Sequence, residues 1–320
     1  MSFMIVFANI IEVPEQYATI QAAINTSVNN DTILVDSGIY YENIDFNGKR
    51  IVVMSRYIIE DDSSLIVSTI IDAGGEGSVV TFENNESNES VLQGFTIQNG
   101  IGNVRDPDGN GSFYTYGGGI YCNASEPIVK DCIIQDNTGD DGGGGGIFCY
   151  DASPIFYGCL ITENETDDVG GGLYSRTGSS PQFFNCEFFD NVAEYGAGCY
   201  LRDESDPYME DVIFRNNSAN NTGGAIALKD DANLQANHLY IFNNSTDGLG
   251  GGFYINNADP ILSFILIADN IASSGAGGYI RNNSNISFTN ATFSQNSAGL
   301  YGNGLYLRDG CEIQFLNSNS

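Results

Sequence analysis

Tryptophan is absent from the 320 residues, histidine occurs once (His238), and 11 lysines and arginines face 41 aspartates and glutamates. The resulting formal charge of −30 excludes a nucleic-acid partner, because neutralising phosphates takes clustered cationic side chains. A single histidine and the lack of any CxxC pair exclude the common zinc sites. No run of eighteen apolar residues occurs, so no helix is expected to cross a membrane. Charged residues make up only 16% of the chain and hydrophobic ones 42%, enough to build a core, which argues against disorder.

The ends and the cysteines say less. Residues 2–8 (SFMIVFA) are apolar but lack the basic start and the full apolar stretch of a secretory signal. Residues 1–12 therefore read either as the remnant of a leader that begins upstream or as a first strand. Among the seven cysteines, Cys132, Cys159 and Cys186 share one register of 27 residues, and Cys122 and Cys149 share another. Equivalent positions of stacked repeats point the same way, which is poor disulfide geometry. Buried free thiols are expected, acting as small hydrophobes.

The dominant feature is a repeat. GGGIYC at 117–122 recurs as GGGIFC, GGGLYS, GAGCYL, GGAIAL, GGGFYI, GAGGYI and GNGLYL, with third positions at 119, 146, 172, 198, 225, 252, 277 and 304. An asparagine column keeps the same period: Asn137, Asn164, Asn191, Asn217, Asn244, Asn270 and Asn296. Each unit holds two or three short strand-type runs between Gly, Asn, Asp and Ser clusters, leaving no room for a long helix. Such a unit cannot bury its own apolar side chains, whereas stacked units make one continuous core. The period fits a parallel β-helix whose coils are spaced by about 4.8 Å. An asparagine at the same turn of every coil is expected to point inward and bond its neighbours.

Before the regular repeats, Tyr17, Ile20, Ile24 and Val28 fall at helical spacing, as an amphipathic cap over the open end of a solenoid would. Residues 13–100 read as this cap plus irregular coils, 101–116 as an inserted loop, and 117–320 as regular coils, all in one domain of eleven or twelve coils. VPEQYATIQAAI, DTILVDSGIYYENI and NGKRIVVMS together resemble the amino-terminal cap and first coils of the pectin-lyase-like superfamily of right-handed parallel β-helix proteins. The GGAI-type motifs and the FxxN runs ending at Asn191, Asn217 and Asn296 resemble the repeats of polymorphic outer-membrane autotransporter adhesins. The resemblance implies an all-β, single-stranded right-handed parallel β-helix. It also implies a bacterial-type location, secreted or at the cell surface. These motifs are scaffold positions and say little about activity.

Strand alternation sorts the faces. The columns that begin with Ile120 and Cys122 are apolar and should point into the core. The column between them is Tyr121, Phe148, Tyr174, Tyr200, Ala227, Tyr254, Tyr279 and Tyr306, and should point outward. Just beyond lie Arg176, Arg202, Lys229, Arg281 and Arg308, often followed by an aspartate. The rings read either as a self-stabilising stack edged by Arg/Asp pairs, each worth under about 1 kcal/mol, or as a platform for sugar rings or a protein surface, with arginines fixing carboxylates.

Acidic residues precede the asparagine column at Asp136, Glu163, Asp190 and Asp269, and like charges one strand apart must raise a pKa or hold a cation. The DPDGNG segment places Asp106, Asp108 and Asn110 in the order of the first half of a calcium loop, but its twelfth position is Gly117 rather than glutamate. Calcium there and an ordinary surface turn both remain open. A polysaccharide lyase or glycoside hydrolase, as the resemblance allows, would need paired carboxylates or a calcium-assisted base. The expectation is instead a non-catalytic β-helix passenger that binds carbohydrate or a cell-surface partner through the outward rings, because the repeat is nowhere broken into a cleft. Residues 312–316 end inside a coil, so an anchoring or secretion module beyond Ser320, or a partner covering that end, is expected.

Overall fold

The computed structural model describes residues 8–316; residues 2–7 of the expected leader lie outside them. Residues Ile10–Val13 form a strand in parallel register with Thr32–Val35. The chain then winds as a parallel solenoid. One sheet of ten strands contains one short strand per coil, from Ile44–Asp45 to Leu305–Leu307. A second, of eighteen strands, forms the opposite wall and is called here the long sheet. The coil number is ten rather than eleven or twelve. The runs at Val52–Ser55 and Thr69–Asp72 are two sides of one coil, pairing with Val91–Gln93 and Thr96–Gln98 of the next.

Between those two runs the chain leaves the solenoid as two short helices, Tyr57–Glu60 and Ser64–Ser68. The cap helix is Ile20–Thr26, with Ile20, Ala23 and Ile24 buried and Tyr17 packed against the core. Thr19 caps it by accepting the Ala22 N–H, and the two carboxylate oxygens of Glu42 accept the Ile20 and Gln21 N–H groups at 2.8 Å each. Unpaired N–H groups at a helix start favour a carboxylate. Val28 lies beyond the helix and is exposed, because Ser27 ends the last turn. The segment expected as an inserted loop carries a small antiparallel hairpin, Asn103–Arg105 with Tyr114–Tyr116.

The inward columns run in strict register: Ile120, Ile147, Leu173, Cys199, Ile226 and Phe253, and beside them Cys122, Cys149, Ser175, Leu201, Leu228 and Ile255. All are buried in one continuous core. From the long sheet, Phe156 stacks on Phe183 and Phe188 on Phe214, both at 4.7 Å and within 6° of parallel. All seven cysteines are free, and six are buried. Burial pushes the Cys132 thiol up to about 12, as for a small hydrophobe rather than a reactive thiol.

The asparagine column is inward, and its side chains link successive coils. It lies beside the glycine motif, where successive carbonyls crowd the turn. A Cβ on Gly172 would sit 2.6 Å from the Gly198 carbonyl oxygen and 2.9 Å from the Phe188 ring. Small residues are needed there because backbone meets backbone.

Candidate functional site

The tyrosine column lies on one vertical line, as its spacing demands: Tyr121, Phe148, Tyr174, Tyr200, Ala227, Tyr254, Tyr279 and Tyr306 pair in sequence across the ten-stranded sheet. It also points away from the main core, forming a separate apolar cluster. The expected open platform is corrected in one respect. Tyr121 and Phe148 are 0% exposed, Tyr174, Tyr200 and Tyr279 are nearly as buried, Tyr254 is 9% exposed, and only Tyr306 is partly open.

The covering has a local cause. The stretch after each asparagine forms a third parallel sheet: Val192–Tyr195, Ser218–Thr222, Ser245–Thr246, Ile271–Ser274 and Ser297–Tyr301. With the hairpin, this layer lays Tyr116, Val169, Tyr195 and Leu249 over the rings. Ring contacts run up the column at 5.5 Å (Tyr121–Phe148), 5.3 Å (Phe148–Tyr174) and 5.7 Å (Tyr174–Tyr200), within the range of favourable aromatic pairs. Burial pushes the Tyr116 hydroxyl up to about 12 and raises those of Tyr121, Tyr174, Tyr200 and Tyr254.

The basic column sits at the edge of this covered strip. Arg176 reaches both oxygens of Asp108 at 3.0 and 3.1 Å and lies over the Tyr150 ring. Arg202 pairs with Asp203 at 2.9 Å, and Arg308 pairs with Asp309 at 3.2 Å and meets the Tyr279 hydroxyl. Lys229 and Arg281 form no ion pair among the described residues.

The three expected calcium ligands each have partners within the protein. Asp106 accepts the Asn110 and Gly111 N–H groups, Asn110 accepts the Ser112 N–H, and Asp108 is committed to Arg176. Asp136, Glu163, Asp190 and Asp269 are exposed corner residues with φ between 53° and 55°. Their shared place in the repeat follows from that left-handed corner, which short polar side chains tolerate best.

Rings open to solvent lie elsewhere, on the outer face of the long sheet. In its three-residue strands only the central side chain faces the core, so the flanking ones face out. Tyr157 and Phe184 pair in register and stack at 5.0 Å and 16°; Tyr208 follows at 5.7 Å from Phe184. Tyr157 is 37% exposed, Phe184 and Tyr208 are half-buried, and the Lys130 ammonium lies 5.6 Å over the Tyr157 ring. The Tyr208 hydroxyl donates to Glu210 at 3.1 Å, and Gln182 and Asn185 flank the line. On the same face Arg215 covers the Phe189 ring at 4.1 Å and pairs with Glu187. The sequence signal for this ladder was the adjacent ring pairs of SPIFYGC and SPQFFNC, of which only one ring can be inside.

A family profile described as "Right handed beta helix region" matches residues 15–249 and 172–319. No curated protein matches the sequence. Among solved structures, a pectin methylesterase from carrot aligns over 96% of this chain and 90% of its own at 12% identity, with a TM-score of 0.45. A family 28 exopolygalacturonase from Yersinia enterocolitica aligns over 98% and 78% at 10% identity, with a TM-score of 0.39. The receptor-binding domain of the siphovirus 9NA tailspike aligns over 96% and 76% at 11% identity, with a TM-score of 0.23. Likeness at this level carries no argument about what the chain does.

Proposed function

The chain belongs to the right-handed β-helix family, and on that premise we propose that it is a non-catalytic carbohydrate-binding scaffold, secreted or displayed at a cell surface. Its binding face is the outer ladder of the long sheet rather than the covered tyrosine column. The observation that carries this reading is the line of Tyr157, Phe184 and Tyr208, stacked at 5.0 Å and then tilted at 5.7 Å, on the outer face of the long sheet with Tyr157 37% exposed.

A sugar polymer has flat, weakly polar ring faces and hydroxylated edges. Rings of Tyr and Phe supply rigid area at low entropic cost, and Gln182, Asn185 and Glu210 beside them supply donors and acceptors for the edges. Because the ladder runs along the axis, successive rungs would meet successive sugars of one chain, and weak contacts would add. A hydrolase needs a second carboxylate across the scissile bond, and along this line Glu210 is already engaged by the Tyr208 hydroxyl, which favours binding.

The test is a glycan array probed with wild type and with a Tyr157→Ala, Phe184→Ala, Tyr208→Ala triple variant. Signals on one or more polysaccharide classes that fall at least tenfold in the variant support the reading. Equal signals from both proteins remove it, and turnover of a bound polysaccharide, read by reducing ends, replaces it with an enzyme.

A further inference from the structure

The long sheet bends once in each coil, and one bend carries a residue that the conformation disfavours. Successive coils place Gly158, Asn185, Asp211, His238, Phe264 and Asn290 there, all in the left-handed region with φ between 53° and 60°. Glycine and short polar side chains suit that region, whereas a bulky aromatic ring is strained in it. Phe264 nevertheless stands at the bend, 48% exposed and stacked on the chain's one histidine, His238, at 5.0 Å. Half of the ring remains in water, so burial within the monomer does little to offset the strain. Strain kept at an exposed side chain points to a contact outside the monomer.

The wall around Phe264 is uncharged. Gln235–Phe242, Ile261–Ala268 and Asn285–Ser294 lie side by side and contain no aspartate, glutamate, lysine or arginine. In the coils before them the outer face is charged, with Arg215 over the Phe189 ring and paired with Glu187. Phe242 takes the register position of Arg215 one coil later, and Ala268 and Ser294 follow it. On this face Tyr240 and Ile261 are 38% and 56% exposed, and Phe242 and Leu266 are half-buried. Each of the three strands is paired on both sides, so the wall presents side chains and not an open edge. An exposed apolar patch of this kind marks a contact face.

Charge selects the occupant. With a formal charge of −30, two copies repel wherever their acidic surfaces meet, and a basic partner is drawn to those surfaces instead of this one. The uncharged wall is where a second copy can approach without like-charge contact. We propose that two copies of this chain pair face to face through this wall about a twofold axis, with Phe264 at the contact, as two sheets pack in a sandwich. At ordinary strand spacings the three strands cover roughly 26 by 14 Å. That is about half of the 800 Å² or so that each partner of a standard interface buries, so the dimer is weak and forms at micromolar concentration or above. The wall begins one coil beyond Tyr208, with which Gln235 is in register, and the pairing does not rest on the role proposed for the ladder.

The test is sedimentation of the full chain from low micromolar to near-millimolar concentration, in low and in high salt. The account expects a monomer at the dilute end and a dimer fraction that grows with concentration. The fraction should be larger in high salt, which screens the repulsion between two acidic chains. Phe264→Asn places at the bend the residue that Asn185 and Asn290 already supply in other coils. It should dimerise at least tenfold more weakly while its melting midpoint holds or rises. Ile261→Lys, at an exposed strand position, brings a charge into the contact and should weaken dimerisation by tenfold or more with the fold intact. The Tyr157/Phe184/Tyr208 triple alanine variant should dimerise as wild type does, which keeps this test apart from that of the ladder. A monomer at every concentration and salt overturns the proposal. So does undiminished dimerisation in a folded Phe264→Asn chain or in Ile261→Lys. A polysaccharide whose binding both variants lose, while every protein stays monomeric, would also overturn it and give the wall to glycan.

Discussion

The carboxamide oxygen of Asn164 accepts two hydrogen bonds from Asn137, one from its backbone N–H at 3.2 Å and one from its side-chain amide at 3.0 Å. The same pair of bonds recurs from Asn164 to Asn191, on to Asn217, Asn244 and Asn270, and ends at Asn296. Each amide also donates to a carbonyl of the preceding coil, as Asn191 does to Ile161 at 3.0 Å. The buried asparagine amides are thereby paired within the ladder, which stitches the coils together along the axis.

Removing a middle rung should therefore orphan groups on both sides. Asn191→Ala leaves the Asn164 N–H and amide without their acceptor, and the Asn217 oxygen and the Ile161 carbonyl without the side-chain donor, while the backbone N–H at 191 still reaches Asn217. The expected loss is about 2–4 kcal/mol, since each buried unsatisfied group costs about 1–3. Urea denaturation checks this, with Asn296→Ala at the end of the ladder costing clearly less.

Gly172→Ala should also destabilise, by about 1–3 kcal/mol, as overpacking does. Its added methyl meets the Gly198 carbonyl at 2.6 Å and comes within 3.3 Å of the Asn191 amide. Gly178→Ala serves as the comparison. A methyl at Gly178 meets nothing within 4 Å, but its φ of +67° makes the cost one of backbone strain alone. A larger loss at Gly172 than at Gly178, again in urea, separates steric conflict with the ladder from conformational strain.

Burial is the chief cause raising the Asp168 carboxyl pKa, with Asp141 and Glu194 adding to it and Arg202 opposing it. A folded-state pKa above the unfolded value means that the ionised form is disfavoured by folding. The cost is present in full at neutral pH and disappears as pH falls through the raised folded value toward the ordinary 3.8. Asp168→Asn should accordingly raise the thermal midpoint at pH 7, with the gain shrinking to nothing near pH 3.5, as followed by circular dichroism melts across that range.

Calcium should not matter to the fold. With Asp108 held by Arg176, and Asp106 and Asn110 bonded within their own turn, millimolar calcium or a chelator should shift the melting midpoint by less than about 2 °C. A rise of 5 °C or more with calcium would mean that the loop rearranges around the ion.

The architecture was legible because the repeat converts a linear spacing into vertical columns. Once residues such as Ile120 and Ile147 are known to stack, inward and outward faces follow from alternation alone. The exposure of the tyrosine column was not legible, because facing away from the core is not the same as facing water. The layer that covers Tyr174 and Tyr200 is built from Ser, Asn, Thr and Ala segments such as Ser218–Thr222, whose composition reads as turns. Their strand character comes from pairing with the equivalent segments of neighbouring coils, a tertiary effect that no single unit displays. The outer ladder was overlooked for a related reason. Tyr208 is two positions out of register with Phe184, and only three dimensions bring their rings to 5.7 Å.

The most direct test of the binding account is the affinity of one array-selected oligosaccharide, measured by calorimetry for three proteins. These are wild type, the Tyr157/Phe184/Tyr208 triple alanine variant, and a Tyr174→Phe variant that alters only the covered column. The account predicts that the first and third bind alike and that the triple variant binds at least tenfold more weakly with its melting midpoint preserved. Full affinity in the triple variant, or a loss confined to Tyr174→Phe, would contradict it.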